Sequence, residues 1–126
     1  MESLSFSKNE MAAIINLALR MSAADGHADE NEAKMIKTEM LRFGMSEREM
    51  QTLCMVANNM NPQDVTRLVK LMTPTQKKYV TAYLGTLIVI DGDKDDMEMA
   101  LWRLVSTLCD LPEMTISEAV NYMANL

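Results

Sequence analysis

A surplus of positive charge is missing from this chain: of 126 residues, 12 are Lys or Arg against 18 Asp or Glu, a formal net charge of −6. Such a chain is repelled by a polyanionic duplex or an acidic lipid surface unless a local basic patch overrides the balance, and no run of Lys and Arg exceeds Lys77-Lys78. Nucleic acid and membrane surfaces are therefore not expected partners. Long apolar runs are missing too. The longest strongly apolar one, Leu87 to Ile90, falls far short of the roughly 20 residues a bilayer-spanning helix needs. Met1 to Asn9 carries no basic stretch followed by an apolar segment, so the expected location is cytoplasmic, without membrane insertion. Cys54 and Cys109 stand far apart, which excludes a disulfide framework and a zinc-knuckle spacing; both are expected as small buried apolar groups. The single histidine, His27, has no Ser or Cys beside it in a nucleophile motif and is expected in a solvated turn, so no enzyme is expected. Four Gly, three Pro and 5% aromatic residues argue against a turn-dense, β-branched sheet protein.

What is present fits one helical domain over residues 1–126, since 48% hydrophobic against 24% charged residues allows a core and departs from the signature of disorder. An oxygen-bearing residue followed three positions later by Glu, Gln or Asp marks a helix start, because the two side chains cap each other's backbone N–H groups. The signal occurs seven times: Ser7 with Glu10, Asp29 with Glu32, Ser46 with Glu49, Asn61 with Asp64, Thr73 with Gln76, Asp95 with Glu98, and Thr115 with Glu118. Pro62 and Pro74 suit first helical positions, and Gly44 suits a left-handed helix end. Ala33, Ile36, Met40 and Phe43 form one apolar stripe, with Lys34, Lys37, Glu39 and Arg42 expected on its other sides. Met11 to Ala24 and Tyr79 to Ile90 are apolar on most faces and are expected as the central pair.

Sliding the chain by 66 residues superimposes Asp25, Gly26, Asp29, Glu32 and Glu47 on Asp91, Gly92, Asp95, Glu98 and Glu113. The expected architecture is all-α: about seven helices in a pseudo-twofold bundle of two three-helix repeats, 7–59 and 73–125, joined by a short helix starting at Asn61. Met35, Met40, Met45, Met50, Met55 and Met60 recur at steps of five, which resembles a thioether box. Steps of five rotate by about 140° each on a helix, and this series crosses the break at Gly44, so adaptable core packing is the expectation, with a Met-rich docking groove as its functional alternative.

The repeated loops concentrate acids. Each joins a central helix to an amphipathic one, and carboxylates at Asp25, Asp29 and Glu32, or at Asp91, Asp95 and Glu98, supply the oxygens that hard divalent cations prefer. Asp93, where the first loop has His27, adds another oxygen. An EF-hand is excluded, because Gly is second and the twelfth residue is Ile36 or Trp102. The structural alternative stands beside this: the same acids cap helices and complement helix dipoles without any metal.

The run Ala24-Asp25-Gly26-x-x-Asp29-x-x-Glu32, repeated at Ile90-Asp91-Gly92-x-x-Asp95-x-x-Glu98, resembles the tellurite-resistance TerB-like domain over nearly the full chain. The resemblance implies seven helices in two related halves, with acidic loop residues that bind divalent metal. Its relatives include stress-response proteins and the N-terminal region of a membrane-anchored DnaJ-type co-chaperone. His27 and Met97 do not match ligands that the pattern requires. The expected ligands are Asp25, Asp29, Glu32, Asp91, Asp93, Asp95 and Glu98, the candidate cations calcium, magnesium, manganese or zinc, and the expected role a non-enzymatic one that docks a protein partner in a bacterial stress response. The alternative is a metal-free module whose acids cap helices and meet a basic partner surface.

Overall fold

The computed structural model describes residues 4–22, 30–90 and 96–126, with the side chains of 30–33 outside that description. Seven helices occupy the described residues: α1 (Lys8–Ser22), α2 (Glu30–Arg42), α3 (Glu47–Asn58), α4 (Pro62–Lys70), α5 (Pro74–Ile88), α6 (Asp96–Leu108) and α7 (Ile116–Ala124). The described residues contain no strand, and the fold is all-α.

Each helix starts one residue after its predicted cap. At Ser7, Ser46, Thr73 and Thr115 the side-chain oxygen accepts from the backbone N–H three residues on, at 3.1–3.2 Å. Glu10, Glu49, Gln76 and Glu118 accept in return from the cap's own N–H at 2.8–3.1 Å. These are full capping boxes, and two orphan donors are satisfied at each start. Asn61 differs in detail. Its Oδ1 accepts from Gln63 N at 2.8 Å, while Asp64 faces Arg67 at 3.6 Å, so Asp64 does not close a box. The short Asn amide folds back after two residues and Pro62 brings no competing N–H. The cap positions Asp29 and Asp95 lie outside the described residues.

Helix ends repeat as well. Gly44 has φ +79°, as its place predicts, and Asp110, 66 residues later, has φ +56°. In both reversals a backbone N–H reaches five residues back: Met45 N to Met40 O at 3.3 Å and Leu111 N to Ser106 O at 2.8 Å. The bounds of α5 and α6 lie 66 residues after those of α1 and α2. The third pair departs from the offset: Pro112 stands where the first half has the cap Ser46, the cap moves to Thr115, and α7 has 9 residues against 12 in α3.

The core is one apolar cluster drawn from all seven helices. As the sequence predicts, α1 and α5 run through its middle. α1 packs on α2 through α6, and α5 on α1, α6 and most extensively α7. Leu87 and Ile88 close α5 as helix, with Val89 and Ile90 in the following turn. Gly85 sits inside α5 because a Cβ there would lie 2.6 Å from Trp102 Cζ2 and 3.0 Å from Ala119 Cβ. Its bare backbone lets α6 and α7 close in, and Trp102 Nε1 donates to Thr81 O at 3.1 Å. Asn16, a polar break in α1, is buried, donating to Ala57 O at 2.7 Å and accepting from Arg20 Nε at 2.8 Å.

Glu39 departs from the sequence reading. It is buried, whereas Lys34, Lys37 and Arg42 are exposed as expected. Tyr79 Oη donates to Glu39 Oε2 at 2.5 Å, Arg42 Nε lies 3.5 Å from Oε1, and Phe6 and Phe43 pack on the Tyr79 ring with centroids 5.4 and 5.5 Å away. A phenol inside the core needs an acceptor, and the α2 carboxylate supplies it. The methionine series spreads as predicted across α2, the reversal and α3: Met40 and Met50 are buried, and Met55 is exposed.

Candidate functional site

The acidic segments fall between a core helix and the start of its amphipathic neighbour: 23–29 between α1 and α2, and 91–95 between α5 and α6. Asp25, His27, Asp29, Asp91, Asp93 and Asp95 lie outside the described residues, and Glu32 lies in α2 with its side chain outside them. Among the described residues there is no group of three or more His, Cys, Asp or Glu placed to hold a metal ion. Of the seven predicted ligands, the structure therefore describes the side chain of Glu98.

Glu98 is 3% exposed. It stands at the third position of α6, the position that closes the capping boxes elsewhere in this chain, yet Glu49 and Glu118 there are exposed and Glu10 and Gln76 half-buried. A box does not require burial of its acid, as Glu49 shows: the Ser46 backbone and hydroxyl hydrogen bonds hold that carboxyl below its ordinary value while water still reaches it. Burial of a carboxylate costs several kcal/mol unless donors or a cation compensate it. The α6 N-terminus contributes part of that compensation through its dipole and also carries the exposed Asp96. At the end of α1, which leads into the first acidic segment, Ser22 Oγ is buried with no hydrogen-bond partner among the described residues.

A groove of about 880 Å³ runs between α6 and α7, lined by Trp102, Arg103, Ser106, Asp110, Glu113 and Ser117 among others. It opens where the first turn of α7 is missing relative to α3. Among the described residues, no histidine or cysteine lines it. Cys54 and Cys109 are free thiols whose ionisation burial pushes up, which disfavours the thiolate that nucleophilic chemistry needs.

Sequence reasoning missed the Glu39 and Tyr79 pair. The signal was present: Glu39 lies three residues after Ile36 and four before Phe43, on the edge of the apolar stripe, and Tyr79 lies in a helix with few polar faces. No helix among the described residues is long and apolar enough to cross a membrane.

No curated protein matches this chain. Among solved structures, a protein of unknown function from Porphyromonas gingivalis is similar, with a TM-score of 0.87 and 39% sequence identity, covering 99% of this chain and 95% of that one. The profile of the family described as tellurite resistance protein TerB matches residues 11–120, and with that span the chain belongs to the TerB family.

Proposed function

We propose that this chain, as one domain over residues 1–126, is a non-enzymatic, cytoplasmic TerB-like module that binds a divalent cation through its two acidic segments and docks a protein partner in a stress response, of which tellurite resistance is one form. Asp25, Asp29, Glu32, Asp91, Asp93, Asp95 and Glu98 provide the oxygens. In this reading the segments occupy equivalent places in a pseudo-twofold bundle. The donor set is all carboxylate, which suits calcium, magnesium or manganese better than zinc, whose structural sites favour Cys and His.

The observation that carries the reading is the burial of Glu98, a carboxylate drawn into the protein at the helix start that follows the second acidic segment. The metal-free alternative draws on the four described capping boxes, which show the same spacing at work without acidic segments before them.

Calorimetric and thermal-melt titration of chelator-treated protein with calcium, magnesium, manganese and zinc separates the two. Binding stabilises the fold by about 2.7 kcal/mol when the free ion reaches a hundred times its Kd, so a rise in Tm with ion concentration is expected. Asp91→Asn and Glu98→Gln should each weaken that response, and Asp91→Asn should leave the helical content unchanged. No heat and no Tm shift at millimolar concentrations of any of the four ions would leave the acids as caps and as a negative patch.

A further inference from the structure

Ser22, the last residue of α1, is 7% exposed, and its Oγ has no hydrogen-bond partner among the described residues. A helical hydroxyl has a ready partner in the backbone carbonyl four residues back. Thr38, Thr52, Thr66, Thr81, Thr86 and Thr107 all donate to that carbonyl, at 2.8–3.1 Å. Thr81 does so while buried in the core, as Ser22 is. Ser22 Oγ makes no such bond to Ala18 O. A buried hydroxyl left unsatisfied destabilises a fold, so this one is set for a partner that the described chain does not supply.

The repeat shows that packing does not call for a hydroxyl at this place. Ile88, 66 residues on, closes α5 as Ser22 closes α1, and it is 1% exposed. The same offset sets His27 against Asp93, so the predicted ligands are Asp25, Asp29 and Glu32 in the first half and Asp91, Asp93, Asp95 and Glu98 in the second. Each half thus has an oxygen that the other lacks. Ser22 stands three residues before Asp25 and brings the first half to the same number of side-chain oxygen donors as the second. A hydroxyl is a hard, neutral donor, which adds to the coordination of calcium, magnesium or manganese without adding charge to a segment already rich in carboxylates.

We infer that Ser22 Oγ is a further oxygen ligand of the divalent cation bound by the acidic segments. The inference rests on the cation reading above and deepens it, since Ser22 lies outside the acid pattern that the sequence repeats. The orphaned hydroxyl of the ion-free chain is then the trace of a coordination position, and the bound ion supplies the partner that the helix does not.

The test titrates the chelator-treated full chain with calcium, magnesium, manganese and cadmium, by calorimetry and thermal melting, as wild type, Ser22→Ala and Ser22→Cys. Without ion, Ser22→Ala should melt at or above the wild-type Tm, because it removes an unsatisfied hydroxyl and favours the helix. For whichever of calcium, magnesium or manganese the wild type binds, its Kd should rise about tenfold or more. Ser22→Cys replaces a hard oxygen with a soft sulfur, so it should lose affinity for that ion and gain affinity for cadmium. A sulfur-to-cadmium charge-transfer band in the ultraviolet should then exceed any that Cys54 and Cys109 give in the wild type. Equal Kd values for wild type and Ser22→Ala overturn the inference and leave the acidic cation site standing. An unchanged preference among the ions in Ser22→Cys overturns it too, as does a lower Tm of ion-free Ser22→Ala, which would mean that the hydroxyl serves the fold. No response of the wild type to any of the ions overturns the cation reading and this inference with it.

Discussion

A phenol and a carboxylate that lie 40 residues apart in sequence meet inside this bundle, and their contact joins α2 to α5. Burial and the Glu39 hydrogen bond both hold the Tyr79 phenol well above its ordinary value, so the proton stays on Tyr79 and the hydrogen bond runs from Oη to the carboxylate. Tyr79→Phe keeps the ring, with Phe6 and Phe43 still packed on it, and removes the donor. The expected cost is about 1–3 kcal/mol in a denaturant titration, the range for leaving a buried acceptor unsatisfied. If Glu39→Gln is combined with it, the neutral amide relieves part of that cost, and the two changes should be non-additive. An additive pair would mean that the two groups do not depend on each other. The pair was only half legible in the sequence: Tyr79 sat in an obvious core helix, while Glu39 looked like one more charge on a solvated flank.

Helix starts were legible because a capping box spans four residues and needs nothing distant; each of the seven helices begins one residue after its oxygen-bearing residue, and at four of them the described residues close the full box. How helices fit together was less so. Gly85 reads in isolation as a weak point in α5, yet Trp102 and Ala119 occupy the space that a side chain there would need. Gly85→Ala gains helix propensity of about 1 kcal/mol and meets the indole at an impossible distance, so the expected net result is a loss of about 1–3 kcal/mol from forced repacking. Trp102→Phe should recover part of that loss when combined with it, measured by thermal melting; equal losses with and without Trp102 would place the strain elsewhere. Gly44→Ala is a contrasting case. A Cβ there meets nothing within 4 Å, so the loss of about 1 kcal/mol expected from it comes from the left-handed backbone alone. Asp110 accepts the same conformation in the second half, and Asp is among the residues that tolerate it.

For the whole molecule, the groups with shifted ionisation set the pH limits of stability. Tyr79 and Tyr83 are both raised above a phenol's ordinary 10.0, first by burial. A raised group contributes stability that is complete below pH 10.0 and falls away as the pH climbs beyond it, because the unfolded chain releases those protons first. Glu49 is lowered from 4.5, so its contribution is present above that pH and is lost as the pH drops through its folded value. Thermal melts across pH should therefore show an acid limb that Glu49→Gln flattens and an alkaline limb that Tyr79→Phe flattens. An alkaline limb unchanged in Tyr79→Phe would show that other groups govern it. The acid spacing that marks the candidate cation site was legible before any fold was known, since it is a pattern in the chain. The burial of Glu98 was not, because the residues at the same helix position elsewhere are exposed or half-buried.

Local chemistry in the amino-acid order determined the helix starts, the left-handed turn at Gly44, the 66-residue offset between the halves and the placement of acids between core and amphipathic helices. Each depends on hydrogen bonds, dihedral preferences or periodicity within a few residues. Tertiary structure alone decided that Glu39 and Glu98 are buried, that Gly85 is the seat of Trp102, and that Leu104 and Leu108 of α6 stay exposed. Burial depends on which distant helices arrive at a given face, and three-dimensional packing settles that.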